Sequence, residues 1–232
     1  MGRLLLWDVD GTLIHGHGIG SAALTGAAAS VLGRPVSLES VTIHGKTDPQ
    51  ILAELFRAAA VDDTAIPGLL PAAMAETERR MAGAEDVLRS RGELIDGAEA
   101  VLARLAARPG VRQTLVTGNL AANTTVKLAA FDLTRYFDVE VSATGTDHAD
   151  RNALVPIALE RVRRLRGEVY PPADVWVIGD TPADLACARA AGVRCLLVGT
   201  GAIPLAELAA LDPDAVLPDL IATDTVAAIL AA

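Results

Sequence analysis

The sequence predicts a doubly wound α/β fold, a mainly parallel Rossmann-like sheet with an inserted all-helical domain. Three observations carry this. Short apolar runs alternate with amphipathic helical patterns through most of the chain, the rhythm of strand–helix–strand crossovers. Five of those runs lack a polar alternation, which suits strands covered on both faces. Residues 16–92 break the rhythm, with several helical patterns and no convincing strand.

The first strand reads as Arg3–Val9, ending in two aspartates. The Gly-rich run His15–Gly20 then leads into the insertion. There Ser21 is a candidate helix cap. Asp48-Pro49 reads as N-cap and N1 of a helix whose Ile51, Leu52, Leu55 and Phe56 share one face. Met74–Leu88 gives a further helix, and Arg91-Gly92 an exit. Ala98, Val101, Leu102 and Leu105 repeat at helical spacing before Pro109-Gly110. Strands are then expected at Arg112–Thr117, Phe137–Ser142, Asp174–Gly179, Val193–Val198 and Asp214–Leu217. Helices are expected at Leu120–Ala130, at Ile157–Leu165 and at Pro182–Ala191, the last with Pro182 at N1 and Gly192 beyond its end. The division is therefore 1–15 with 93–232 for the sheet domain, and 16–92 for the insertion.

The 232 residues carry 20 Lys plus Arg against 29 Asp plus Glu, a net charge of −9, and 51% of them are hydrophobic. So apolar a chain folds. The acidic balance argues against a nucleic-acid partner, which needs a basic patch to displace counterions. Cys187 and Cys195 form neither a disulfide framework nor a zinc spacing. Gly18–Gly33 is the longest stretch free of both charged residues and histidine, and is too short and too rich in small residues to span a membrane. Asp8 interrupts the apolar N-terminus too early for a signal peptide. The expectation is a soluble, cytoplasmic protein with no membrane partner; oligomeric state is left open.

Three strand ends carry chemistry. Asp8-Val9-Asp10-Gly11-Thr12-Leu13 puts two carboxylates where the first strand leaves the sheet, the edge at which open α/β sheets bind ligands. Such a pair invites a cation or shares a proton. Thr117-Gly118-Asn119 offers a hydroxyl, a flexible glycine and helix N-terminal amides, a set suited to phosphate or carboxylate oxygens. Gly179-Asp180-Thr181-Pro182-Ala183-Asp184 puts a carboxylate at another strand end and a second one turn into the next helix. His15 and His17 lack the further ligands a metal site needs. Gly16, Gly18 and Gly20 have the wrong spacing for a dinucleotide loop, and Gly199-Thr200-Gly201 is similarly incomplete.

In this order, the three segments resemble the first, second and fourth motifs of the haloacid dehalogenase superfamily, specifically its phosphohydrolases of the phosphoglycolate-phosphatase-like and beta-phosphoglucomutase-like branch. The helical insertion resembles that family's small cap domain, so the resemblance covers nearly the whole chain. It implies a phosphatase of small phosphorylated metabolites. Asp8 would be the nucleophile, forming an aspartyl-phosphate, and Asp10 the general acid and base. Mg²⁺ would be held by the Asp8 carboxylate, the Asp10 main-chain carbonyl and Asp180, with Asp184 nearby. Thr117 with the Gly118 or Asn119 amide would cradle the phosphoryl oxygens. The presence of Asp10 favours a phosphate ester over a carbon–halogen bond.

The third motif departs from the family, which places a lysine there. Of the two lysines, Lys127 lies on the helix after the second motif, the wrong place, and Lys46 lies in the insertion. Arg151 is the closest substitute, able to grip phosphate with a larger fork. His44-Gly45-Lys46-Thr47-Asp48 resembles a cap loop that reaches the active site, so His44 and Lys46 are the expected specificity residues. A phosphomutase and a non-catalytic binder of a phosphorylated ligand are the alternative readings.

Overall fold

The structure is a computed structural model that describes residues 2–231. Its strands are β1 (Arg3–Trp7), β2 (Ile14–His15), β3 (Glu93–Leu94), β4 (Val111–Thr117), β5 (Ala143–Thr144), β6 (Val175–Gly179), β7 (Arg194–Val198) and β8 (Ala215–Leu217). Six of them form one parallel sheet in the order β5-β4-β1-β6-β7-β8. The other two pair antiparallel, Ile14 with Leu94 and His15 with Glu93. Between β2 and β3 lie α1 (Ile19–Leu32), α2 (Asp48–Ala58), α3 (Ile66–Met81) and α4 (Glu85–Arg91). The rest are α5 (Ala98–Ala106), α6 (Ala121–Ala130), α7 (Leu154–Arg166), α8 (Pro182–Ala191), α9 (Leu205–Ala209) and α10 (Thr223–Ala231).

The unbroken apolar runs have a simple cause. Alternate residues of β1 go to opposite faces, and both faces are covered. Leu5 and Trp7 pack with α5, α10 and the start of the chain's second half, while Leu4 and Leu6 pack with α7 and α8. A third core, including Leu24, Leu52, Leu55, Phe56 and Ile66, is made within α1, α2 and α3. The helical segment thus buries its own apolar faces as well as resting on the sheet domain.

Several expected elements differ. Phe137–Ser142 is not a strand. Asp138 is gripped by Arg112 and Arg166 and its main chain bonds to Gln113 and Thr114, so Val139–Val141 coils into a 3₁₀ turn and only Ala143–Thr144 joins the sheet. Met74–Leu88 is not one helix. Gly83 takes a left-handed φ of 79° that separates α3 from α4. α7 begins earlier than expected, at Leu154, with Pro156 in its first turn. Gly18 rather than Ser21 caps α1, and the Ser21 hydroxyl donates back to the Gly18 carbonyl. Thr47, not Asp48, is the N-cap of α2. Its hydroxyl accepts from Gln50 N while the Gln50 side chain accepts from Thr47 N, a reciprocal capping box. α8 runs as expected, from Pro182 to Ala191 with Gly192 left-handed behind it.

Candidate active site

Strand β1 lies between β4 and β6, so the carboxyl ends of these three strands open side by side. This edge borders a cavity of about 420 Å³, whose other wall is the helical segment. Asp8, Asp10, Thr117, Gly118, Asn119, Arg151 and Asp180 line it from the sheet domain, and His15, His17, His44 and Lys46 from the entrance and the helical segment.

One carboxylate oxygen each of Asp8, Asp180 and Asp184 lie within 4.8 Å of one another, and all three residues are buried. Asp180 is held by Thr12, whose hydroxyl donates to its Oδ1 at 3.0 Å. It is wedged between Gly11 and Gly201, where a Cβ at either would overlap its carboxylate. Gly11 also has a positive φ of 79°, so both space and backbone demand glycine there. Asp184 closes a capping box on Thr181, accepting from the hydroxyl at 2.6 Å and the amide at 3.0 Å. Arg151 reaches into this group. Its Nη2 lies 3.1 Å from Asp8 Oδ2 and donates to Asp184 Oδ1.

The electrostatics follow from the count of one guanidinium against three buried carboxylates. Burial pushes the Asp8 carboxyl up to about 6; Arg151 opposes the rise, and Asp184 and Asp10 add to it. Burial, then Asp184 and Asp8, push Asp180 up to about 8. Burial also works against the Arg151 charge, but Asp184 and Asp8 more than offset it, so the guanidinium stays protonated. Excess negative charge on oxygen donors is what a hard divalent cation accepts, and the donor set fits Mg²⁺.

Asp10 faces the other way. Its Oδ2 accepts from Lys127 Nζ at 2.5 Å and from Asn119 Nδ2 at 2.7 Å. Asn119 Oδ1 in turn accepts from Lys127 Nζ at 2.6 Å, and Asn119 Nδ2 also donates to Thr117 Oγ1 at 2.9 Å. Burial raises the Asp10 carboxyl, but the Lys127 charge and these hydrogen bonds outweigh it and hold the group below its ordinary value. Lys127 is therefore in the site, and its placement by sequence needs correction. Helical side chains point back toward the N-terminus, and α6 starts at the site, so a lysine two turns along returns to it. The polar buried face Asn123, Thr124 and Lys127 on an otherwise amphipathic helix was the signal available.

Asn119 serves Asp10 and Thr117 with its side chain, while its amide turns to the Thr117 hydroxyl at 3.4 Å. The Gly118 carbonyl accepts from Asp48 N at 2.7 Å, and a Cβ at Gly118 would strike Lys46 O. Lys46 lines the cavity, but its ammonium donates to both Glu54 oxygens at 2.6 Å. His44 is exposed at the rim. His15 and His17 stand with ring centroids 5.9 Å apart, and His17 Nε2 lies 3.4 Å from Glu93 Oε2. Asp48, expected as a helix cap and as a polar group of the loop that reaches the site, is buried and reaches across to the sheet domain. Its Oδ2 accepts from Leu120 N at 2.8 Å and from Asn123 Nδ2 at 3.1 Å, at the start of α6. Thr200 Oγ1 donates to Gly11 O at 2.6 Å, a structural use of the incomplete glycine motif.

Known proteins resemble this chain over half or more of its length. A phosphoglycolate phosphatase of Pseudomonas fluorescens is 26% identical over 218 residues, covering 94% of this chain and 77% of that one. A provisionally named pyrophosphatase, PpaX, of Caldanaerobacter subterraneus is 33% identical over 121 residues, and the chain spans only about half of that relative, 52%. The fold matches the crystal structure of CbbY from Rhodobacter sphaeroides in complex with phosphate, with a TM-score of 0.67 and 21% identity over 95% of this chain and 96% of that one. Residues 3–192, which include the ends of β1, β4 and β6 that build the site, match the haloacid dehalogenase-like hydrolase family, and the chain belongs to that family.

Proposed function

We propose that the protein is a Mg²⁺-dependent phosphatase that hydrolyses a small phosphorylated metabolite through an aspartyl-phosphate on Asp8. The observation that carries this is the pair of groups at the end of β1. Asp8 sits among a guanidinium and two further carboxylates, while Asp10, two residues on, is turned to a separate ammonium and amide. One strand end thus presents two carboxylates in different environments, the arrangement that separates a nucleophile from an acid–base group. Asp8, Asp180 and Asp184, with the Asp10 main-chain carbonyl, would hold the ion. When bound, Mg²⁺ supplies neutralisation of phosphoryl oxygens and of the carboxylate charge.

The chain's own residues do the rest. The Asp8 carboxylate attacks phosphorus, the ester P–O bond breaks, and the leaving alkoxide takes a proton from Asp10. Negative charge arriving with the phosphoryl group raises the proton affinity of Asp10, which without substrate is held ionised. Water then attacks the same phosphorus, giving its proton to Asp10. The bond to Asp8 breaks, releasing inorganic phosphate. Arg151 and Thr117 orient the phosphoryl oxygens, a task that is mostly positioning and charge neutralisation. The cavity of about 420 Å³ suits a small leaving group. The phosphoglycolate phosphatase relative supports this substrate class.

The test is release of phosphate from an aryl phosphate and a panel of small phosphometabolites with Mg²⁺. Turnover is expected from the native protein and none from Asp8→Asn of unchanged circular dichroism. A folded native protein that turns over nothing in the panel overturns the reading, and an active Asp8→Asn overturns the nucleophile.

A further inference from the structure

The buried ammonium of Lys127 has no part in the steps above. Only 4% of its side chain is exposed, and it sits on the floor of the cavity. Together Lys127 and Asn119 occupy Asp10 Oδ2, and Lys127 is itself fixed by Asn119 Oδ1. Three side chains from β1's end, β4's end and α6 form a closed ring of hydrogen bonds. Its orientation is determined, because an ammonium only donates, so the Asn119 oxygen must face Lys127 and its NH₂ must face Asp10. The ring uses Oδ2; the second Asp10 oxygen, Oδ1, lies beside the cavity-lining Gly16, 3.8 Å from where a Cβ of that residue would be. Gly20 on α1 lies beside the ammonium: a Cβ there would stand in ordinary contact with Nζ, at 3.4 Å, and a larger side chain would press on it.

We propose that Lys127 is a positioning residue for proton transfer. It pins one oxygen of Asp10, so that the other alone faces the leaving group. An unpinned carboxylate would rotate about its terminal torsion, which is broad and roughly two-fold, and would present either oxygen. Lys127 never exchanges the transferred proton; it fixes the direction from which Asp10 delivers it. This rests on the phosphatase reading.

The experiment compares kcat/KM for an alkyl phosphate and for 2,4-dinitrophenyl phosphate, in native protein and in Lys127→Met. Because kcat/KM reports the steps up to transfer onto Asp8, it separates leaving groups that need a proton from those that do not. Dinitrophenolate leaves unaided. Positioned acid catalysis contributes about 10²-fold or more. Lys127→Met is therefore expected to lose about 100-fold on the alkyl ester and less than about tenfold on the dinitrophenyl ester, with Lys127→Arg recovering part of the alkyl loss. A merely structural lysine would lower both rates equally, and that result, or no loss on the alkyl ester, overturns the inference. If Lys127→Met does not fold, Gly20→Val, which presses on the ammonium from α1, carries the same comparison with the same two outcomes. A native protein inactive on both esters fails at the phosphatase reading instead.

Discussion

Arg151 holds two of three buried carboxylates, so its removal has a larger consequence than the loss of one ion pair. Leaving Asp8, Asp180 and Asp184 together without a counter-charge costs about 3–5 kcal/mol by analogy with broken buried pairs. Arg151→Met is expected to lose that much stability in urea unfolding without metal, and to lose turnover. Unchanged stability would mean that solvent already screens the group. The four aspartates were legible because each motif is local. Two carboxylates two residues apart at a strand end, or four apart across a strand-to-helix turn, reach the same edge whatever the rest of the chain does. Lys127 and Asp48 were not legible in this way. Lys127 depends on the direction of a side chain along a helix, and Asp48 on how a separate segment docks, and neither is written in spacing along the chain.

At the scale of elements, the start of α2 shows how two adjacent residues divide their work. Thr47 caps its own helix and also donates from Oγ1 to Ala149 O at 2.6 Å, in the loop that leads to Arg151. Asp48 turns outward and caps α6 instead. Burial pushes the Asp48 carboxyl above its ordinary value, but it accepts the Leu120 amide at a helix N-terminus, where negative charge is favoured. Asp48→Ala is expected to cost about 1–2 kcal/mol of stability and to raise KM, because α6 carries Lys127 and the helical segment loses a hold on it. Asp48→Asn, which keeps the acceptor, should cost less. Thermal melts and initial rates decide this, and equal effects of the two substitutions would count against it.

Another element-scale device lies at the opposite end of the sheet. Hydrogen bonds from Arg112 hold Glu168 down at about 2; burial opposes them, and the Tyr170 hydroxyl adds to them. Because the folded value lies below the unfolded one, this stabilisation is present above about pH 4.5 and is lost as pH falls toward 2. Glu168→Gln should therefore destabilise the protein at pH 7, and the gap to native protein should close in acid. A gap independent of pH would refute the assignment. The same cluster, through Arg112 and Arg166 on Asp138, is why the run Phe137–Ser142 coils although its apolar residues read as a strand.

For the whole molecule, part of the net charge of −9 is concentrated in the buried triad at one sheet edge. A ligand that binds only the folded state at a hundred times its dissociation constant adds about 2.7 kcal/mol. For a chain of this size that corresponds to a rise of roughly 5–10 °C in Tm. Mg²⁺ should produce such a rise in the native protein and little in Asp180→Asn; a scanning calorimeter that shows no shift in the native protein would contradict the assigned ion site. Among the described residues, no helix is long and apolar enough to cross a membrane. The fold class was legible at this scale because both faces of a parallel sheet must be covered, and that requirement marks every strand. The packing of α1 and α2 against the cavity was not, since an amphipathic stripe gives a helix's buried face without naming its partner.

The pairing of Ile14 with Leu94 and of His15 with Glu93 sets the two ends of the helical segment side by side. In chain-statistical terms the segment is a loop whose mouth is already closed. The entropy of closing a loop grows only with the logarithm of its length, about 0.6 kcal/mol for each doubling. In closure entropy alone, the length of chain threaded through this junction costs the sheet domain little. Closure entropy therefore does little to fix the wall opposite Asp8 and Asp10; its position on the strand ends is set by contacts such as those of Thr47 with Ala149 and of Asp48 with Leu120 and Asn123.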